Sequence, residues 1–308
     1  MTIYDRRQIL ELFAGCGLVF ASGVGCATRA AREPIARDAP RDDFFFLQLS
    51  DTHWGYRGPA NPDAGRTLPE TLARIDAAPV QPEFIVLTGD LTHSTDDPRE
   101  RRRRLGEVKE MLGRLRCKAI RAIPGEHDAA LDSGEAYREV FGPSYWSFDR
   151  GGIHFVGLDN VSDGADGLGD AELAWLEADL ARVVGDTPIV VFAHRPLFDL
   201  APSWDWDTRD GARVLAILEK RANVTVFYGH IHQEHRHMTG AIAHLSARSL
   251  IFPMPAPMSV EKKAPLPWDP ASGDHGLGHR LVSVSRRQLE PATVAFGQPS
   301  PMRVRASE

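Results

Sequence analysis

Cysteine is scarce in this chain of 308 residues, which has three. Two of them, Cys16 and Cys26, lie within the first 30 residues, leaving Cys117 as the only thiol of the remainder. A single thiol excludes an internal disulfide framework. Cys117 opens an apolar run and reads as a core residue. Long apolar runs are missing after the first 30 residues, so the remainder is expected to be soluble, or tethered only at its N-terminus. A basic surplus is lacking too: the formal net charge is −6, which argues against nucleic acid as a stable partner. The one basic run, Arg99-Glu-Arg-Arg-Arg-Arg104, has Glu107, Lys109 and Glu110 beside it and reads as a solvated helix face. No internal repeat and no low-complexity tract interrupts the chain. Its 43% hydrophobic and 25% charged residues suit one large globular domain or two small ones.

Residues 1–30 read as an export signal. Arg6-Arg7-Gln8-Ile9-Leu10 resembles a twin-arginine motif, with a mostly apolar stretch from Leu12 to Ala27 behind it. Glu11 interrupts the pattern, and the stretch is too short and Gly-rich for a good membrane span. Twin-arginine export carries folded proteins, which suits a cofactor loaded beforehand. Cleavage is expected after Ala30 or a nearby small residue. The alternative is lipidation at Cys26, although Gly23-Val24-Gly25 lacks the usual Leu before it. The expected location is periplasmic or otherwise exported, with membrane contact only through the signal or that lipid. Residues 31–43 read as a polar linker, and residues 44–308 as the globular domain.

Within that domain, strands and helices alternate, which predicts an α/β architecture. The apolar runs at 44–49, 84–87, 119–123, 189–193 and 224–228 read as strands. Helical spacing covers Pro69 to Ala78, Pro98 to about Leu115, Glu135 to Phe141, Gly169 to Val184 and Gly211 to Arg221. Asp97 is the expected N-cap of the second of these, with Pro98 in its first turn. Tyr145–Phe148 and Ile153–Leu158 flank Arg150-Gly151-Gly152 as a hairpin, so the sheet is mixed. Ala241–Ile251 is compatible with a strand. Phe252 to Pro270 reads as a proline-rich ordered loop, and Leu281–Ser285 and Thr293–Phe296 as late strands.

The chemistry sits at the ends of the strands. Successive runs close on Asp51-Thr52-His53, Gly89-Asp90, Gly125-Glu126-His127-Asp128, His194 and Gly229-His230-Ile231-His232. Ligand sites in α/β folds gather outside the carboxyl ends of strands. So much carboxylate and imidazole in one place requires a compensating ion. The number of groups allows two ions, and a mixed Asp/His shell suits Fe, Mn or Zn better than Ca or Mg alone. Two ions roughly 3.5–4 Å apart clamp a phosphorus centre for in-line attack, and a water bridging them is acidified toward hydroxide.

This ordered set resembles the calcineurin-like metallophosphoesterases, with a layout similar to their bacterial cyclic-nucleotide phosphodiesterase branch. The resemblance runs from Phe44 to His232. It implies a two-sheet mixed β-sandwich flanked by helices, a four-layer αββα fold. It further implies a binuclear phosphoester hydrolase, acting on a small-molecule phosphoester or a phosphorylated substrate as diesterase or monoesterase. Asp51, His53 and His232 would hold the first metal, Asp90 would bridge, and His194, His230 and Glu126 would hold the second. His127 would sit near the phosphate and assist the leaving oxygen, with Asp128 orienting its ring. Glu126 departs from the family, which has Asn there. It either binds the second metal with added negative charge or turns away and leaves that site weak. The alternative to an enzyme is a non-catalytic exported metal-binding or scaffold protein whose site has degenerated at Glu126.

Other residues carry open readings. His93 suits a position behind the ligands or a solvated loop. His235, His237 and His244 are expected to be peripheral, and Asn160 is expected in a turn. Trp204 and Trp206 fit a wall over the substrate or a loop packed by its tryptophans.

Overall fold

The structure is a computed structural model, and it describes residues 43–164 and 166–298. The twin-arginine stretch, Cys26 and the linker up to residue 42 lie outside the described residues. Among the described residues, eleven strands form two mixed sheets. The first holds β1 (Asp43–Leu49), β2 (Phe84–Thr88), β3 (Ile120–Ile123), β10 (Gly278–Ser285) and β11 (Gln288–Ala295), in the order β11-β10-β1-β2-β3. The second holds β4 (Trp146–Arg150), β5 (Ile153–Gly157), β6 (Ile189–Phe192), β7 (Val224–Tyr228), β8 (Arg236–Thr239) and β9 (Ile242–Ser246), in the order β4-β5-β6-β7-β9-β8. The pairs β1–β2, β2–β3, β5–β6, β6–β7 and β7–β9 are parallel, while β1–β10, β10–β11, β4–β5 and β8–β9 are antiparallel.

Alternation along each strand sends side chains to opposite faces and builds three apolar layers. Phe46, Phe84, Val86, Phe155, Val190, Phe192 and Phe227 meet between the sheets. Phe46 is the hub of that layer, stacked on Phe84 at 4.7 Å and edge-on to Phe192 at 5.8 Å and Phe227 at 5.9 Å. The intervening residues Leu47, Leu49, Ile85 and Leu87 face outward under α1 (Ala64–Ala77) and α2 (Pro98–Gly113). Two short helices follow, α3 (Glu126–Ala129) and α4 (Glu135–Phe141). On the far side Val191, Val226 and Tyr228 pack under α5 (Gly169–Leu180) and α6 (Gly211–Leu218). Helices on both outer faces of two stacked sheets give the expected four layers.

Several elements differ from the sequence reading. α1 begins at Ala64, with Pro69 inside it. Proline suggests a helix start, but here its missing N–H only frees the carbonyl of Gly65 on the exposed side. The late strands begin at Gly278 and Gln288, and β9 ends at Ser246 rather than Ile251. β8 has an exposed, alternating edge pattern and was not anticipated as a strand. The N-cap of α2 is as expected: Asp97 Oδ1 accepts from Arg99 N at 2.9 Å. The arginine run pairs along and beside α2, with Arg103 on Glu100 and Glu107, and Arg102 on Glu139. Arg101 is buried against Asp132 at 2.6 Å. Cys117 is buried and free.

Candidate metal centre

The carboxyl ends of β1, β2, β3, β6 and β7 open toward one another, and backbone bonds lock the segments that follow them. Asp51 N donates to Gly89 O at 3.1 Å, His53 N to Asp90 O at 2.9 Å, and Gly229 N to His194 O at 3.0 Å. A polar chain runs between the sheets beneath the site. Gln48 Nε2 donates to Thr88 Oγ1 and to Tyr228 O, Thr88 Oγ1 to Ser50 Oγ, and Ser50 Oγ to Asp51 Oδ2.

Five site residues hold left-handed backbone: Asp51 (φ 54°), His53 (φ 40°), Asp90 (φ 50°), His230 (φ 65°) and His232 (φ 55°). Such conformations are costly for residues with a Cβ and persist only where the surroundings enforce them. The turn at each strand end re-aims the side chain into the cavity. Gly89 and Gly229 permit the close approach. A Cβ on Gly89, itself at φ 87°, would overlap the His194 ring, and one on Gly229 would overlap Ser50 Oγ.

Two mixed carboxylate-and-imidazole sets of donor atoms result, beside an all-imidazole group of His53, His93 and His127. Asp51, His53, Asp90 and His232 form one; Asp90, Glu126, His194 and His230 form the other; within each set the donor atoms lie within 4.8 Å of one another. Asp90 belongs to both. All seven residues expected as ligands are thus in one place, and Glu126 turns inward. Its Oε2 lies 2.8 Å from His194 Nε2 and its Oε1 3.0 Å from His230 Nδ1.

Hydrogen bonds behind the rings fix which nitrogen faces inward. His194 Nδ1 meets Thr88 O at 2.7 Å, His230 Nε2 meets Asp205 O at 2.8 Å, and His232 Nδ1 meets Phe252 O at 2.8 Å. A carbonyl only accepts, so each of these nitrogens carries its proton, and the other nitrogen of each neutral ring presents a lone pair. Those lone pairs face other acceptors. His194 Nε2 looks at Asp90 Oδ2 across 3.5 Å and at Glu126 Oε2, which is buried without a hydrogen bond despite that contact. His53 Nε2 lies 3.2 Å from His232 Nε2 and 3.3 Å from Asp90 Oδ2. In their neutral form the rings converge with the carboxylates as acceptors on common centres, which is what a cation needs, so the donor set fits two metal ions.

The electrostatics agree. Burial presses the His194 ring toward neutrality, but the Asp90 and Glu126 carboxylates hold its pKa well above the ordinary value. His232 is likewise pressed down by burial and raised overall by Asp51. Burial works against ionisation of Glu126, yet His230 and His194 hold it well below the usual carboxylate range. Burial, with His127, His232 and His93 nearby, keeps His53 well below its ordinary value. The cluster draws positive charge, and proton and cation compete for the same lone pairs.

His127 stands at the mouth, its ring edge-on to His53 at 4.6 Å and its backbone N–H on Asp90 Oδ1 at 2.9 Å. Asp128 does not orient that ring. Its carboxylate turns the other way, accepting from Leu91 N, Thr92 N, Thr92 Oγ1 and Gly125 N at 2.8–3.0 Å. The reason is α3: residues 126–129 are helical, so adjacent side chains diverge by about 100°. Asp128 is a staple between the β2 and β3 ends. Burial and the neighbouring Asp90 charge push its pKa to about 6, with those backbone donors pulling it back.

His93 lies behind the first set, its Nδ1 3.3 Å from His53 Nδ1, and so belongs to the site's support. Asn160 is also a support, its Oδ1 accepting from His194 N at 3.0 Å. His235, His237 and His244 join neither donor set. Trp204 and Trp206 are buried in the layer under α5 and α6, edge to face at 4.9 Å, and form no wall. Between them Asp205 offers the carbonyl that orients His230. Sequence reasoning missed that role, as it missed those of Thr88 and Phe252. Backbone carbonyls leave no signature in side-chain identity.

An α/β sandwich that places paired acid-and-imidazole pockets at its strand ends is the framework of a metal-dependent hydrolase. The chain belongs to the calcineurin-like phosphoesterase family, whose model matches residues 46–234. A Rhodopseudomonas palustris protein named as a probable cyclic nucleotide phosphodiesterase is 27% identical over 217 residues, 61% of this chain and 71% of its own length. A serine/threonine-protein phosphatase of Danio rerio is 29% identical over 218 residues, 62% of this chain and 70% of its own. Among solved structures, a dimetal phosphatase from Danio rerio superposes with a TM-score of 0.54 at 16% identity, covering 82% of this chain and 99% of that one. GAP50, the anchor in the inner membrane complex of Plasmodium, reaches 0.56 at 14% identity, covering 84% and 86%. Proteins with such different names share this fold, so function has to be argued from the side chains.

Proposed function

We propose that this protein hydrolyses phosphoesters at a paired-cation centre, with a small phosphodiester as the favoured substrate class. The observation that carries the reading is the pair of four-residue donor sets joined through Asp90. Two bound cations would draw the phosphoryl oxygens, offset the charge developing on them and acidify a water for in-line attack. Asp51, His53 and His232 would hold one cation, Glu126, His194 and His230 the other, and Asp90 both. The residues left for the substrate are then few. His127, at the mouth and outside both sets, faces the leaving oxygen and supplies a proton or hydrogen bond to it. The Thr88, Asp205 and Phe252 carbonyls keep the ligand rings from turning while substrate binds.

Preference for diesters is supported by relatives from several bacteria named as cyclic nucleotide phosphodiesterases; a phosphatase among the relatives keeps monoesters in play. The metals are drawn from Fe, Mn and Zn, on the chemistry of the mixed carboxylate and imidazole donors. The twin-arginine-like leader supports an exported location, which cell fractionation with and without Arg6 and Arg7 would check. The function itself is tested by loading the protein with Mn, Fe or Zn. Turnover of bis-p-nitrophenyl phosphate, p-nitrophenyl phosphate and cyclic nucleotides is then compared. Diester turnover is expected to exceed monoester turnover. No turnover with any of the three metals would favour a non-catalytic metal-binding protein.

A further inference from the structure

The structure assigns Ser94 as the positioning residue of His127: it fixes the proton of the neutral ring on Nε2, so that His127 meets its substrate as a donor. This inference rests on the phosphoesterase reading only for its consequence; the tautomer follows from geometry alone.

Ser94 follows Asp90 by four residues, on the loop that leaves β2. Its backbone N–H donates to His127 Nδ1 at 3.2 Å, and its Oγ lies 2.8 Å from the same nitrogen. A backbone N–H can only donate, so Nδ1 has to accept. A neutral imidazole that accepts at Nδ1 carries its hydrogen at Nε2. The hydroxyl, free to rotate, then donates as well.

The arrangement is the reverse of the one at the ligand rings. His194, His230 and His232 give their outer proton to a carbonyl and turn a lone pair inward. His127 accepts a hydrogen bond from the loop and turns its own N–H away from it. One kind of imidazole is set to bind cations and the other to donate to oxygen, and the difference lies in whether the partner is C=O or N–H. His93, next to Ser94, stacks on the His127 ring at 4.9 Å and 22°, and so limits its tilt. Arg104 holds the loop itself by donating to His93 O at 2.8 Å. A hydrogen-bond donor at Nε2 suits a leaving alkoxide, which concentrates more negative charge on its oxygen than a nitrophenolate does.

The test has a spectroscopic arm and a kinetic one. Long-range proton–nitrogen correlation spectra are recorded on the zinc-loaded full chain with 15N-labelled histidine, and His127 is assigned by its loss in His127→Gln. The expected pattern has Nε2 protonated and Nδ1 not. A protonated Nδ1 overturns the inference whether or not the protein hydrolyses anything. In the kinetic arm, Ser94→Ala lowers kcat about fivefold for a diester with an alkyl leaving group, the worth of one lost hydrogen bond. With p-nitrophenolate leaving, kcat stays within about twofold. KM is unchanged in both cases, and Ser94→Thr restores the alkyl rate. An equal loss for both leaving groups overturns the positioning role.

Discussion

His53 and His232 meet nitrogen to nitrogen, Nε2 to Nε2, across 3.2 Å, although 179 residues separate them in the chain. His232 Nδ1 donates its hydrogen bond to Phe252 O on the far side of the ring, so in the neutral ring this approach sets the Nε2 lone pair against its neighbour. Binding a cation there stabilises the folded chain and leaves the unfolded chain unaffected. Free metal at about 100 times its dissociation constant would add about 2.7 kcal/mol, which for a domain of this size raises Tm by about 5 °C. Thermal melts of chelator-stripped protein, with and without added Zn or Mn, measure this. Coincident melts would remove the metal centre.

Asp90 is the only residue common to both donor sets. Asp90→Ala is expected to lower diester and monoester hydrolysis by about 10³-fold or more, because both cations lose a ligand. Circular dichroism should show the fold intact, since the two sheets are built from other residues. Retained activity would refute the bridging role.

Glu126 brings both of its oxygens to the second set, 2.8 Å from His194 and 3.0 Å from His230. Glu126→Asn removes one negative charge from that pocket. The second cation should then bind at least about tenfold more weakly, while the first is little changed. Metal analysis after dialysis against graded chelator reads both sites. Equal occupancy and equal metal identity in the two proteins would show that Glu126 is no ligand.

Far from the site, His154 on β5 bridges Asp149 at 2.7 Å and Asp179 of α5 at 2.8 Å. Burial alone would lower its pKa, but the two carboxylates raise it from 6.5 to about 9. A raised histidine pKa means that the stabilisation is complete below about pH 6.5 and fades as pH climbs through about 9. A hydrogen bond to a charged partner contributes about 1.5–3 kcal/mol. Urea midpoints of wild type and His154→Gln should differ most at pH 6 and draw together above about pH 9.5. A gap that is constant with pH would contradict the charged bridge.

Much of the site was readable before any coordinates because its ligands sit where apolar runs stop. Leu49, Thr88, Ile123, Phe192 and Tyr228 end strands by pairing and burial, and the acids and histidines that follow leave the apolar layers for a buried polar cluster at the strand ends. The two-sheet order was readable only through the family, since nothing in Phe46 or Phe227 names its partner across the sandwich. What escaped was carried by main chain or by short local structure. Thr88, Asp205 and Phe252 act through carbonyls, whatever their side chains. Asp128 was misassigned because the four-residue α3 turns it away from His127, and a helix that short has no periodicity to detect. The tryptophans at 204 and 206 fitted wall and wedge equally well, and burial decided for the wedge.

The parallel order of the central strands carries a consequence for biogenesis. Each ligand-bearing strand end reaches its neighbours only after an intervening crossover has formed, so no early fragment of the chain owns a complete pocket. β7, which delivers His230 and His232, docks beside β6 after most of the polypeptide has emerged. Capture of the proposed metal pair would therefore follow the docking of β7, a late event in the chain's assembly.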